Sequence, residues 1–223
     1  MSKADILQSI QKEIGKEIKI VAVSKTKPNE AILEVYNAGH KIFGENKVQE
    51  LTAKYESLPK DIEWHFIGHL QTNKVKYIAP FISYIHSVDS LKVLKAINTE
   101  AGKSKRTINC LLQLKIAEEE TKFGLSMKEI KDMLTSDTFT EFKNICIKGV
   151  MGMATNTTND IQVKEEFLQL KQNFLEIRDS FFQDKAYFSE ISMGMSHDYK
   201  IAAEAGSTMV RIGSKIFGER VYN

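Results

Sequence analysis

The chain has 223 residues, enough for one large domain or two small ones, and one domain of this size buries roughly 70% of its unfolded surface. Lysine and arginine total 31 against 29 aspartates and glutamates, and no basic block alternates with aromatic residues, so nucleic acid is not an expected partner. No run reaches the roughly 18 apolar residues of a membrane span, and residues 1–15 lack the apolar segment of a signal peptide. The composition therefore predicts a soluble, cytoplasmic protein that does not associate with membranes.

The first half of the chain alternates between helical and strand patterns. Apolar residues recur at helical spacing from Ile6 to Ile14, and Gly15 ends this first helix. The run "IKIVAVS" then predicts the first buried strand. Three further strands are predicted at 41–46, 63–68 and 84–89, and the helices between them at 29–39, 48–58 and 72–79.

The second half continues this alternation. Ser90 is a predicted N-cap for a helix that ends near Gly102, and Val163 to Phe181 carry apolar residues at helical spacing over the longest helix. A shorter helix is predicted at 126–134, and four more strands at 107–115, 144–154, 186–192 and 208–213. Cys110 and Cys146 lie in the first two of these strands, where a thiol usually packs as a small hydrophobic side chain, so core packing is favoured over redox or metal chemistry.

Eight strands that alternate with helices favour a closed (β/α)8 barrel, because crossovers between parallel strands are right-handed and several strands lack the period-two pattern of a one-sided sheet. An N-terminal helix precedes this barrel. No linker or repeat interrupts the series, so a single domain over 1–223 is expected. The alternative is an open, doubly wound α/β sheet.

Polar residues follow the predicted strands, at the end of the barrel where such folds place their chemistry. The segments "SMGMSHD" and "RIGSKIFGER" each offer glycine and serine before a helix, with Ser196 as a predicted N-cap. Each segment is either an anion-binding turn or an ordinary capped turn. Two such turns side by side favour a phosphorylated ligand.

Lys25 stands where the first strand ends, in "AVSKTKP". Taken with the first strand alone, it is best interpreted as a solvated loop lysine. A partly desolvated amine close to Arg211 would instead be neutral often enough to attack an aldehyde. A lysine beside a phosphate site therefore predicts a phosphorylated aldehyde as the ligand.

The sequence as a whole resembles the pyridoxal 5′-phosphate (PLP) homeostasis proteins. These are fold-type III PLP proteins and single-barrel relatives of the alanine racemase N-terminal domain. The resemblance covers nearly the whole chain. The blocks that carry it, in order, are "AVSKTKP", "FGENKVQE", "WHFIGHLQTNK", "HSVDS", "GVMGMAT" and "SMGMSHDYKIAAEAGSTMVRIGSKIFGER".

The resemblance implies that PLP is the cofactor and assigns residues to its site. Lys25 would form a Schiff base (aldimine) with the aldehyde, and Asn46 would line the pocket. Arg211 would face the pyridine nitrogen. The hydroxyl of Ser192 and the backbone amides of Gly213 and Ser214 would hold the phosphate.

The resemblance leaves the roles of some residues in the matching blocks undecided. His65 is either a hydrogen-bonded core histidine or a pocket residue, and the loop Gln71–Lys74 has no clear role. Met151 and Met153 could cover the cofactor ring, although core filling is the favoured interpretation.

Three functions are compatible with these residues. The favoured one is intracellular PLP homeostasis, meaning storage, buffering and possible delivery to PLP-dependent apo-enzymes by a monomer or weak dimer. A weak amino-acid racemase is the alternative, but racemisation in this fold needs a second base from an additional β-rich domain, for which no room is expected. A Schiff-base aldolase would explain the lysine and the phosphate site, but leaves the matching blocks unexplained.

Overall fold

The computed structural model describes residues 2–117 and 123–219, which form eight parallel strands closed into one barrel in chain order. The strands are β1 Lys19–Val23, β2 Ile42–Glu45, β3 Glu63–Phe66, β4 Tyr84–Val88, β5 Ile108–Gln113, β6 Ile145–Met151, β7 Glu190–Ser192 and β8 Met209–Ile212. β8 pairs with β1 in parallel, with Ile20 level with Val210, and so closes the ring. The predicted (β/α)8 barrel is confirmed, and the open sheet is wrong.

Helices surround the barrel. They are α1 Lys3–Ile14, α2 Asn29–Asn37, α3 Val48–Ser57, α4 Val75–Ile78, α5 Leu91–Lys103, α6 Met127–Leu134, α7 Asp137–Thr140, α8 Asp160–Phe181, α9 Tyr199–Glu204 and α10 Ser214–Phe217. α1 precedes β1, as predicted, and the hydroxyl of Ser2 accepts from the Asp5 backbone N–H at its start. None of the helices in the described segments is both long and apolar enough to span a membrane, and the cytoplasmic location stays a prediction.

Most of the apolar core lies between the barrel and the helices. Trp64, Ile85 and Phe167 are fully buried there, and Cys110 is part of the same cluster, which confirms its predicted packing role. Burial raises the pKa of both thiols, Cys110 more than the half-buried Cys146. Neither cysteine lines the cavity described below.

β7 is shorter than its sequence pattern predicts, because it begins at Glu190 and not near residue 186. The preceding aromatic residue, Phe188, belongs to the outer core. Its ring stacks on those of Phe182 and Phe174, with centroids 4.4 and 5.0 Å apart. The apolar character of this stretch therefore reflects packing against the end of α8 and not strand pairing.

Candidate cofactor-binding site

A cavity of about 360 Å³ opens at the carboxyl ends of the strands. Its volume lies within the range of roughly 300–1000 Å³ that small-molecule sites occupy. Its described lining carries basic and hydrogen-bonding groups, and no carboxylate is among them. The lining residues that bear on ligand binding are Lys25, Asn46, Ser196, Arg211, Gly213 and Ser214.

Lys25 reaches the cavity because side chains alternate across the end of β1. Val23 lines the cavity, Ser24 turns outward to bond Glu45, and Lys25 lines the cavity again. Thr26 follows at a φ of 64°, an uncommon conformation for a β-branched residue. Lys27 also lines the cavity, and its Nζ donates to the carbonyls of Gly218 and Glu219 at 2.9 and 2.8 Å.

Asn46 follows β2 and lines the cavity beside Gly68. The loop after β3 lies directly on the Asn46 backbone. A Cβ atom added to Gly68 would come within 2.4 Å of the Asn46 carbonyl oxygen. Only glycine therefore allows this approach, which fixes one wall of the cavity.

The segments after β7 and β8 meet at the cavity. The backbone N–H of Gly213 donates to the hydroxyl of Ser196 at 3.2 Å, so the two predicted anion-binding turns are neighbours. The prediction that Ser196 is an N-cap is wrong, since α9 begins only at Tyr199. The carboxylate of Asp198 accepts the Met195 N–H and closes a turn ahead of the helix.

Ser192 does not reach this cavity, contrary to the role that the resemblance implied for it. It is fully buried in β7 and level with Met209, which precedes Gly213 by four residues. Four residues of strand span about 13 Å, so its hydroxyl lies well below the β8 turn. Its hydroxyl instead accepts from Nη1 of Arg211 at 2.7 Å. This geometry supports Ser196, and not Ser192, as the serine that faces a ligand.

Arg211 is held from below by two acceptors. Besides the bond to Ser192, its Nη2 donates to the Gly152 carbonyl at 3.0 Å, and the side chain is only 4% exposed. Burial lowers the pKa of the guanidinium to about 10, so it stays a cation at neutral pH. A fixed positive charge therefore forms part of the cavity wall.

A hydrogen-bonded chain runs from Arg211 through the barrel interior. His86 Nδ1 lies 3.0 Å from the Ser192 hydroxyl, His65 Nδ1 lies 2.9 Å from His86 Nε2, and His65 Nε2 lies 3.2 Å from Glu63 Oε1. Because the Glu63 carboxylate can only accept, it orders a chain of neutral histidines from that end, and the Ser192 hydroxyl therefore donates its proton to His86 Nδ1. His86 then donates from Nε2 to His65, which donates from Nε2 to Glu63.

This chain requires both histidines to be neutral, with the proton on Nε2. Burial lowers the pKa of His65, and it lowers that of His86 well below its usual value. His65 is therefore a hydrogen-bonded histidine of the barrel interior and does not line the cavity.

The remaining residues whose roles the sequence left undecided lie either at the cavity or away from it. Met153 lines the cavity, whereas Met151 packs inside the barrel against Tyr84 and Leu111. Gln71–Lys74 do not line the cavity. Ile67 and Gly68, at the predicted end of the third strand, also line the cavity, and Ile67 was not singled out from the sequence.

The fold and this basic, lysine-containing cavity are those of the barrels that resemble the N-terminal domain of alanine racemase. The profile described as alanine racemase, N-terminal domain, matches residues 5–221. An alanine racemase from Bartonella henselae shares the fold with a TM-score of 0.69 at 13% identity, and the match covers 99% of this chain and 60% of that one.

More similar proteins identify the family. Proteins named "Pyridoxal phosphate homeostasis protein" from Aquifex aeolicus and Vibrio alginolyticus are 38% and 36% identical, each over 92% of this chain and 88% of the relative. The structure of PipY from Synechococcus elongatus without PLP is 31% identical with a TM-score of 0.90, over 97% of this chain and 100% of that one. PipY with PLP bound gives 30% and 0.87 over the same shares. The chain belongs to the family of pyridoxal phosphate homeostasis proteins.

Proposed function

We propose that this protein binds PLP in the cavity at the carboxyl ends of the strands and holds it covalently on Lys25 for PLP homeostasis. One observation carries the proposal: Lys25 and Arg211 line the same cavity as the turn in which Gly213 contacts Ser196. None of the described residues that line this cavity carries a carboxylate. The names of the relatives and the PLP-bound PipY structure support the same cofactor.

The cavity fits a phosphorylated aldehyde in charge and in shape. Its described titratable lining groups are Lys25, Lys27, Arg211 and His197, so a dianionic phosphate meets no described carboxylate there. In this proposal the phosphate donors are the hydroxyl of Ser196, in place of Ser192, and the amides of Gly213 and Ser214. The Gly213 amide exchanges its bond to the Ser196 hydroxyl for one to the phosphate. Charge-assisted bonds of this kind contribute about 1.5–3 kcal/mol each.

The chain's own groups hold the ligand but are poorly placed to catalyse a reaction on it. Bound PLP supplies an aldehyde that reacts with an amine and a ring that withdraws electrons. Lys25 supplies the amine. Arg211, with a pKa of about 10 and two donors already engaged, holds its proton and, if it faces the ring nitrogen, would leave that nitrogen unprotonated. No described carboxylate of the cavity is available to protonate that nitrogen, which makes the ring a weak electron sink.

We therefore propose a non-catalytic role, in which the protein stores and buffers PLP and delivers it to PLP-dependent apo-enzymes. A monomer or weak dimer and a single domain over 1–223 stay predictions. Weak racemisation is the second candidate, since Lys25 can also act as a base. α-Hydrogen exchange of added amino acids approaching ordinary enzyme rates of about 1–1000 per second would favour it.

The proposal is tested by titrating the protein with PLP, following the near-visible absorption, and then reducing with borohydride and mapping the modified peptide. The expected adduct is on Lys25, and Lys25→Ala should lose both the band and the adduct. Lys128→Ala, which removes an exposed lysine of α6, is the control and should retain both. An adduct mainly on Lys27 or Lys74, or an intact band in Lys25→Ala, would contradict the proposal.

A further inference from the structure

A buried cluster of charges lies on the outer side of the barrel wall, behind the loop that carries Lys25. At its centre is Lys54 of α3, which is only 5% exposed. Its Nζ donates to the carboxylates of Glu45 and Glu50 at 2.7 and 2.6 Å, and to the backbone carbonyl of Ser24 at 2.8 Å. The cluster thus joins the end of β2, the helix α3 and the residue just before Lys25.

Both neighbours of Lys25 bond to this cluster. The Ser24 hydroxyl donates to Glu45 Oε1 at 2.6 Å, while its carbonyl accepts from Lys54. The backbone N–H of Thr26 donates to Glu50 Oε1 at 2.6 Å. The peptide groups on either side of Lys25 are therefore held from outside the wall, while the Lys25 side chain lines the cavity inside it.

The conformation of Thr26 needs such support. Its φ of 64° is unfavourable for a β-branched side chain, and such a conformation persists only where surrounding contacts impose it. The hydrogen bond to Glu50 is a contact of this kind, and Lys54 in turn holds Glu50 in place.

An anchor for α3 alone would not require a charged cluster. Burial raises the pKa of Glu45, against the opposing effect of Lys54, which reflects what it costs to keep this carboxylate charged. Apolar residues of similar size often stabilise a buried site as well as an ion pair does. They could not accept the Thr26 N–H or donate to the Ser24 carbonyl, which are the contacts that fix the Lys25 loop.

We infer that Lys54 is a positioning residue for Lys25, acting through Glu45 and Glu50 to fix the peptide groups that flank the attachment lysine. The inference rests on the proposed function, in which Lys25 holds the aldehyde. The cluster sets the position of the amine, whereas the turn after β8 binds the phosphate, so the two contributions are separable by experiment.

The main test uses Glu50→Ala, which removes the Thr26 contact and leaves the Glu45–Lys54 pair. The rate of Lys25 adduct formation with PLP should fall about tenfold or more, because small misplacements of a reacting group are costly. The affinity for pyridoxine 5′-phosphate, which has the phosphate but no aldehyde, should change less than about twofold if only the lysine is displaced. Amide hydrogen exchange at Thr26 in the cofactor-free protein should become faster.

Glu56→Ala is the matched control, since Glu56 is an exposed acidic residue of the same helix, and it should behave like wild type. Lys54→Met, like Glu50→Ala, should slow adduct formation and leave the affinity for pyridoxine 5′-phosphate nearly unchanged. It also leaves Glu45 buried without its partner, however, and so risks unfolding the protein. The double variant Lys54→Met with Glu45→Met removes both charges and avoids that risk. It should still form the adduct slowly.

The outcomes separate this inference from the proposed function. Wild-type attachment rates in Glu50→Ala and in the double variant would overturn the inference. So would a parallel loss of pyridoxine 5′-phosphate affinity, because that indicates a general loss of site structure. If the wild-type protein forms no Lys25 adduct, the proposed function fails. The Thr26 exchange measurement then still decides whether the cluster holds the loop.

Discussion

Two serines in one short segment have different environments. Ser196 lines the cavity and accepts from the Gly213 amide, whereas Ser192 lies fully buried between Arg211 and His86. The sequence block "SMGMS" presents both hydroxyls as candidates for the phosphate. The register between β7 and β8, in which Ser192 is level with Met209, decides between them, and no local pattern reveals that register.

Alanine substitutions should separate the two roles. Ser196→Ala should weaken PLP binding about tenfold, corresponding to the loss of one hydrogen bond of roughly 1.5 kcal/mol, and leave the free energy of unfolding of the cofactor-free protein nearly unchanged. Ser192→Ala should lower that free energy of unfolding by about 1–3 kcal/mol, since it leaves a buried donor of Arg211 without its acceptor. Binding titrations and urea unfolding measure both effects. A Ser192→Ala variant of normal stability with a selective loss of phosphate affinity would restore the original assignment.

The secondary-structure elements were predictable where one local pattern decided them. Buried runs such as those of β3 and β4 stood out, and the strand ends brought Lys25, Asn46 and Arg211 to one cavity. The pattern failed where long-range packing decided the element. β7 is short because Phe188 stacks on the end of α8, and α9 starts late because Asp198 closes a turn.

The turn after β8 is the element that should give PLP most of its affinity. Pyridoxal lacks the phosphate and so cannot use the Ser196 hydroxyl or the Gly213 and Ser214 amides. With at least two charge-assisted bonds lost, its dissociation constant should be about 100-fold or more above that of PLP. Competition titrations with both aldehydes, and with inorganic phosphate as a competitor of PLP alone, check this. Similar constants for the two aldehydes would contradict a phosphate site at this turn.

The barrel has an apolar outer layer, whereas its interior combines an apolar cluster around Met151 with polar and charged side chains. Trp64 and Phe66 face the helices, while their neighbour His65 enters a chain of hydrogen bonds inside the barrel. Near the Glu63 end of this chain, Lys19 forms an ion pair with Glu190. A stable fold then depends on keeping the interior histidines neutral, since a charged imidazole has no room for hydration there.

Stability should consequently fall in mildly acidic solution. The folded state lowers the pKa of His65 and His86 by burial, so below about pH 6.5 the unfolded chain binds protons that the folded barrel excludes. Their contribution is fully present above that pH and is lost as pH falls toward the folded pKa, by up to about 1.4 kcal/mol per pH unit for each histidine. Urea unfolding of the cofactor-free protein between pH 7.5 and 5.5 measures this slope. His86→Gln should flatten it. Other groups such as Glu45 cancel in that comparison, so equal slopes in wild type and His86→Gln would show that the buried chain does not govern acid stability.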